Sequence, residues 1–216
     1  MNAETAILLG GLAMAGAIGS RAYPCDLAIS TGIDVSASVD QAEYESVRGG
    51  MIAALQDPDT RAALVGAWFH VYEWGERQEV VLPWFRVETV EDVDTVTNLI
   101  ATHVRRPVGN GTATGAAMLY GAASIDATGC SDQRLNIITD GEASLSPIPI
   151  VVRNGLTSWR LQINAVAVSP LESAVTYLER NVIYGPGAFV DVAASWADFA
   201  EAFERKLNRE MEVASR

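Results

Sequence analysis

Lysine is almost missing from this chain: Lys206 is the only one among 216 residues, and the other basic side chains are arginines. Acidic residues outnumber basic ones by 27 to 15, for a net charge of −12 and an isoelectric point near 4.5. Binding to a phosphate backbone needs clustered cations, so nucleic acid is set aside as a partner. Histidine is equally scarce, with only His70 and His103. No Gly-x-Ser-x-Gly elbow accompanies them, which removes the grounds for a serine hydrolase. His70 falls inside an apolar run and reads as a packed histidine rather than a base. No phosphate-binding loop carries a lysine, and "GNGTATG" (109–115) lacks the Gly-x-Gly-x-x-Gly spacing of a dinucleotide site. Long apolar runs are also missing. The run over 6–19 is short for a membrane span but fits the apolar region of a signal peptide, although no Lys or Arg precedes it. Small-x-small cleavage patterns lie at 17–19 and 20–22. Residues 1–22 are therefore read as a signal peptide or, if uncleaved, an N-terminal anchor, and a periplasmic or secreted protein is expected.

What is present is a hydrophobic fraction of 49%, enough for a substantial core, with no internal repeat or low-complexity linker. Apolar, β-branched segments over 27–34, 67–74, 79–85, 135–139, 163–168 and 188–192 read as strands. Most are apolar on both faces, as strands covered by helices on both sides must be. Amphipathic segments over 40–55, 90–103, 114–127, 171–181 and 195–213 read as helices, with a weaker one over 150–159. The last repeats Trp196, Phe199, Ala200, Phe203 and Leu207 at helical steps behind an expected Ser195 N-cap. This alternation predicts an α/β fold, a doubly wound and mostly parallel central sheet with helices on both faces, formed as one domain over 25–214. The strand over 79–85 follows its predecessor after a short turn and contains Pro83, so it is expected to be an antiparallel edge strand.

Ligands of doubly wound sheets bind beyond the carboxyl ends of the strands. Three loops expected there are rich in oxygen donors: "DVSAS" (34–38), "GNGTATG" (109–115) and "TDGEAS" (139–144). Each has an ordinary explanation when taken singly. Asp34 or Ser36 could cap a helix or shape a turn, Thr112 could cap the following helix, and Asp140-Gly141 is a turn signal. Their joint occurrence in this order favours a cation site instead. With no His or Cys among them, the donors select a hard ion, magnesium, manganese or calcium.

The set "DVSAS", "TATGAAM" and "ITDGE" resembles the von Willebrand factor type A domain with its metal-ion-dependent adhesion site, whose pattern is Asp-x-Ser-x-Ser, a distant Thr and a distant Asp. The resemblance assigns Asp34, Ser36, Ser38, Thr112 and Asp140 as the metal set. It implies that the hydroxyls bind the ion directly and the two aspartates largely through waters. An open coordination position would then accept an Asp or Glu carboxylate from a protein partner. More narrowly, "DVSASVDQAEYESVRGGMIAAL", "VYEWGERQEVVLPW" and "NVIYGPGAFVDVAASWADFAEAFERKL" resemble a family of uncharacterised secreted bacterial proteins related to these domains, over roughly 25–210. The alternative function is a metal-dependent hydrolase of phosphatase type, for which Glu142 is the one obvious base. Cys25 and Cys130 precede Asp34 and Asp140 by nine and ten residues. In the implied fold this places both at the opposite ends of neighbouring strands, as a disulfide or as a pair of buried thiols.

Overall fold

The computed structural model describes residues 25–158, 160–168 and 171–214; the leader expected over 1–22 lies outside them, and the weak helix expected over 150–159 ends at Gly155. Six strands form one sheet in the order β3-β2-β1-β4-β5-β6: β1 (Leu27–Asp34), β2 (Trp68–Trp74), β3 (Gln78–Arg86), β4 (Asp132–Thr139), β5 (Leu161–Val168) and β6 (Val190–Ala193). All neighbours are parallel except β2 and β3, so β3 is the antiparallel edge that its short turn and Pro83 implied. Among the described residues seven helices cover the faces: α1 (Gln41–Gln56), α2 (Pro58–Leu64), α3 (Asp92–Thr102), α4 (Thr114–Asp126), α5 (Pro149–Gly155), α6 (Glu172–Asn181) and α7 (Phe199–Ala214).

Strand alternation divides the core in two. Ile29 and Ile33 of β1 face a layer built from Tyr44, Val47 and Met51 of α1, Val96 and Ile100 of α3, and Phe199, Phe203 and Leu207 of α7. Ala28 on the same strand faces the other layer, with Ala117 and Met118 of α4, Val152 of α5 and Leu178 of α6. Such two-sided burial explains why β1, β4 and β5 carry no exposed position between their ends. β1 leads through α1 toward β2 on one side, whereas the chain re-enters at β4 on the other. The carboxyl ends of β1 and β4 therefore flank the point where the winding reverses, which is where a doubly wound sheet leaves a crevice.

At the opposite end of these strands Cys25 and Cys130 are joined in a disulfide, their Cα atoms 4.5 Å apart. One local expectation is corrected and one unassigned segment gains a helix. Ser195 does not cap a long helix: residues Trp196–Asp198 form a 3-10 turn, the Ser195 hydroxyl donates to Asp198 Oδ2 at 2.7 Å, and α7 starts at Phe199. The segment after α1 is itself a helix, α2, because Asp57 Oδ1 accepts from the Asp59 and Thr60 amides at 3.0 and 2.9 Å and Pro58 occupies the first turn. The single lysine is fully buried on α7, where Lys206 Nζ donates to Glu210 Oε2 at 2.8 Å. Glu210 also accepts from Asn136 of β4 at 3.3 Å and from Asn164 of β5, so the pair docks α7 onto the sheet. Burial pushes the Lys206 ammonium down in pKa and Glu210 opposes the shift.

Candidate metal-binding site

Asp34 ends β1 as a fully buried carboxylate. Its Oδ1 accepts from the Ser36 amide at 2.9 Å and its Oδ2 from the Thr139 hydroxyl at 2.6 Å. The first bond turns the chain out of the strand; the second ties that turn to the end of β4. Thr139 Oγ1 also accepts from the Gly141 amide at 3.2 Å, which shapes the loop carrying Asp140. The turn then closes into α1 through a capping box: Asp40 Oδ1 accepts from the Glu43 amide at 2.9 Å and Glu43 Oε2 from the Asp40 amide at 2.8 Å.

Between these supports the oxygens converge. Ser38 Oγ donates to Asp140 Oδ1 at 3.0 Å and lies 3.4 Å from Ser36 Oγ, which accepts from Thr112 Oγ1 at 3.2 Å. Neighbouring ligands of an octahedral ion held at 2.0–2.1 Å are about 3 Å apart, so hydroxyls at 3.2 and 3.4 Å need only small adjustments to share one magnesium-sized ion. Burial raises Asp34 to a pKa of about 6, against the Thr139 and Ser36 hydrogen bonds, and the nearby Asp140 adds to the rise. Asp140 is raised by burial as well, with Ser38 opposing and Glu43 contributing. Both carboxylates therefore sit where a cation would stabilise their ionised forms. Among the described residues no three His, Cys, Asp or Glu side chains group closely enough to hold a metal by themselves. A cation held here would depend on the hydroxyls.

Thr112 is not the helix cap it could have been: Ala113 occupies that position without a side-chain bond, and the Thr112 hydroxyl points to Ser36. Its backbone is pinned by Ser144, whose hydroxyl accepts from the Thr112 amide at 2.9 Å and whose own amide donates to Thr112 O at 3.0 Å. Gly115 at the start of α4 has no room for a side chain, because a Cβ there would run into the Pro147 carbonyl. Glu76 Oε1 accepts from the Asn110 and Gly111 amides at 3.0 and 3.2 Å, and Asn110 O accepts from the Ala37 amide at 3.1 Å. Arg105 completes the frame. Its guanidinium donates to the carbonyls of Val35, Val39 and Asp40 at 3.0, 2.8 and 3.1 Å and lies 5.1 Å from the centroid of the Tyr44 ring. Tyr44 in turn donates to the buried Glu73 at 2.6 Å, and burial together with that carboxylate pushes its phenol upward in pKa.

Sequence reasoning did not single out Arg105, Glu76 or Glu73. Their only signal is position after the sheet has formed. Thr139 and Ser144 stood within the oxygen-rich "TDGEAS" stretch but without a role. The structure places the five residues of the expected metal set together and Glu142 apart from their hydroxyl chain. Glu142 is exposed and lines a depression with Glu172, Ser173, Thr176, Tyr177 and Arg180 of α6. His70 packs against the Trp84 ring at 4.8 Å with its Nδ1 2.9 Å from Ser30 Oγ, and burial pushes it down to about 4.

The profile of the family described as "Protein of unknown function (DUF1194)" matches residues 24–215. No curated protein matches the chain. Among solved structures, proximal thread matrix protein 1 from the mussel byssus is 18% identical with a TM-score of 0.64, over 88% of this chain and 49% of that one. A second structure of the mussel protein, described as having a zinc-occupied MIDAS motif, is 17% identical with a TM-score of 0.62, over 88% and 49% of the two chains. A von Willebrand factor type A structure from Catenulispora acidiphila is 17% identical with a TM-score of 0.63, over 86% and 43%. This chain thus spans less than half the length of those proteins. The shared fold is that of the von Willebrand factor type A domain.

Proposed function

The chain belongs to the DUF1194 family of proteins of unknown function, and from that premise we propose that it is a divalent-metal-dependent protein-binding module. The observation that carries the reading is the chain of three hydroxyls, Ser38, Ser36 and Thr112, ending on Asp140 with oxygen spacings of 3.0–3.4 Å. Ser36, Ser38 and Thr112 would hold the ion. Asp34, with one hydrogen bond already made to each carboxylate oxygen, would balance its charge through water, and so would Asp140. The donor chemistry favours magnesium, with manganese or calcium as substitutes. The zinc-occupied motif of the mussel protein supports a divalent ion at this position of the fold. A bound ion with few direct carboxylates supplies an electrophilic centre that takes one more oxygen ligand.

That ligand is an Asp or Glu side chain of a protein partner. Ser38 and the neighbouring Ala37 are exposed, as is Leu145, whose amide donates to Thr112 O at 3.3 Å, so a surface surrounds the site on which a partner can settle. Adhesion or assembly outside the cytoplasm suits a disulfide-linked chain, with residues 1–22 directing export. Among the described residues no helix is long and apolar enough to cross a membrane. Hydrolysis is the less supported reading, since Glu142 faces α6 rather than the hydroxyls. Titration calorimetry with magnesium and manganese, followed by recovery of partners in magnesium and in EDTA, tests the proposal. Stoichiometric binding and EDTA-sensitive recovery are expected. Absence of metal binding overturns it, and magnesium-dependent turnover of phosphate esters that is lost in Glu142→Gln would favour the enzyme.

A further inference from the structure

A groove of about 350 Å³ opens beside the hydroxyl cluster, lined by Ser36, Ala37, Gln41, Asn110, Arg105 and Arg106. Ser36 belongs both to the groove and to the hydroxyl chain, and Asn110 stands two residues before Thr112. A segment placing a carboxylate on the ion would therefore have its neighbouring residues in this groove.

The groove carries two positive charges in an acidic molecule. The chain carries a net charge of −12, and Arg48, Arg61, Arg134, Arg160 and Arg205 each pair with an acidic side chain. The two groove arginines do not. Arg105 donates to three main-chain carbonyls, which fixes its position and leaves its positive charge without a carboxylate. Arg106 is exposed and has no hydrogen-bond or ion-pair partner among the described residues. Glu76, beside the groove's Asn110, has one oxygen engaged by the Asn110 and Gly111 amides. Two guanidinium groups thus line a groove next to a site that itself selects carboxylates.

We infer that this groove is a second acid-binding subsite, and that the partner is a peptide segment with two acidic residues, one ligating the ion and the other paired with Arg106. The planar guanidinium fork matches a carboxylate in two-point contact and imposes direction as well as attraction. Arg105, held by the carbonyls of the metal-binding turn, contributes its field without moving, while Arg106 is free to close on the ligand. The inference rests on the metal-dependent reading above and adds a polarity to it: the second acid lies on the Arg106 side of the first, at a fixed spacing.

The test is selection of a random peptide library displayed on phage against the immobilised full chain in magnesium, with elution by EDTA, for wild type and Arg106→Gln. Recovered peptides are then synthesised for affinity measurement. From wild type, EDTA-eluted peptides should share two acidic positions at a constant separation. Arg106→Gln should still release peptides in EDTA, but enriched at one acidic position only. Replacing the second acid of a selected peptide by its amide should weaken binding to wild type about tenfold and to Arg106→Gln less than twofold. A single acidic position from wild type, or the same two from the variant, overturns the inference while leaving the metal reading intact. No EDTA-eluted enrichment from wild type would instead overturn the acidic-ligand reading, and this inference with it. Unchanged magnesium binding by Arg106→Gln in calorimetry verifies that the variant retains its fold and its ion site.

Discussion

Asp34 is the position at which the proposed metal binding and folding oppose one another, and Asp34→Asn measures both. The carboxyl has an ordinary pKa of 3.8 and is raised to about 6 in the folded chain, with burial the largest cause. At 1.36 kcal/mol per pH unit this corresponds to about 3 kcal/mol of instability in the ionised, metal-free form. A folded-state pKa above the unfolded one means that the native state holds the proton more tightly. The associated stability is therefore present below pH 4 and is lost as pH rises through 6. Asparagine removes the charge but keeps an acceptor for the Ser36 amide at 2.9 Å, and its amide can donate to Thr139, so the variant loses about one hydrogen bond's worth, ~1 kcal/mol. In EDTA the difference between Asp34→Asn and wild type should thus rise between pH 4 and 6 and reach about +2 kcal/mol at neutral pH, a melting temperature higher by about 4–8 °C. In magnesium the order reverses. Wild type at a hundredfold excess over the dissociation constant gains about 2.7 kcal/mol and the variant gains nothing. Differential scanning calorimetry over pH 4–8, with and without magnesium, reads both effects. The reasoning is refuted if Asp34→Asn keeps a wild-type metal-induced shift, or if it is less stable than wild type in EDTA at neutral pH.

Three other expectations follow from the frame around the site and from the core. Arg105→Gln removes three bonds to the carbonyls of Val35, Val39 and Asp40, so the metal-binding turn should loosen and magnesium affinity should fall about tenfold in calorimetry; unchanged affinity would deny Arg105 that role. His70 is pushed from 6.5 down to about 4 by burial, so its stabilising contribution is complete above pH 6.5 and about 3 kcal/mol of it is lost as pH falls to 4. Denaturant unfolding of His70→Gln should be flatter than wild type across that window, and a superimposable profile would mean that the buried imidazole does not resist protonation. The Cys25–Cys130 bond closes a separation of 105 residues, for which the chain-entropy model gives about 4–5 kcal/mol, and its removal in a Cys25→Ala, Cys130→Ala double variant should lower the melting temperature by about 10 °C or more. Thiol-specific alkylation before and after reduction, read by mass spectrometry, should find no thiols and then two.

The sheet was legible because its central strands are apolar on both faces, a pattern that few other environments permit. The candidate site residues were legible as a group because their oxygens sit at strand ends in a recognisable order. What escaped reading was the partner that each polar side chain takes, near or far in the chain. The "DPDT" segment (57–60) belongs to no element expected from the sequence, yet Asp57 caps α2, and Ser195 looks like a cap until its hydroxyl is found on the Asp198 side chain. Lys206 and Glu210 share the helix face of Phe199 and Phe203, but their charge alone argues for solvent; only the folded sheet shows Asn136 and Asn164 receiving Glu210 in the core.

The same dependence governs the candidate site. Ser36 and Thr112 are 76 residues apart and Ser38 and Asp140 are 102 apart, yet each pair lies within hydrogen-bond range. The register that brings them there pairs Ile33 with Ile138, which sets Asp34 level with Thr139 and puts Asp140 one residue beyond the sheet. A slip of one residue between β1 and β4 would turn Asp34 away from Thr139 and separate Asp140 from Ser38, even though every donor remained in the sequence. That register is held by the two-sided core along β1 and β4 and, at the far end, by the Cys25–Cys130 bond with the Ser131 amide donating to Cys25 O at 3.0 Å. The oxygens are therefore a property of the local sequence, while their spacing is a property of the whole sheet, so substitutions deep in β1 or β4 should weaken the proposed metal site before they abolish the fold.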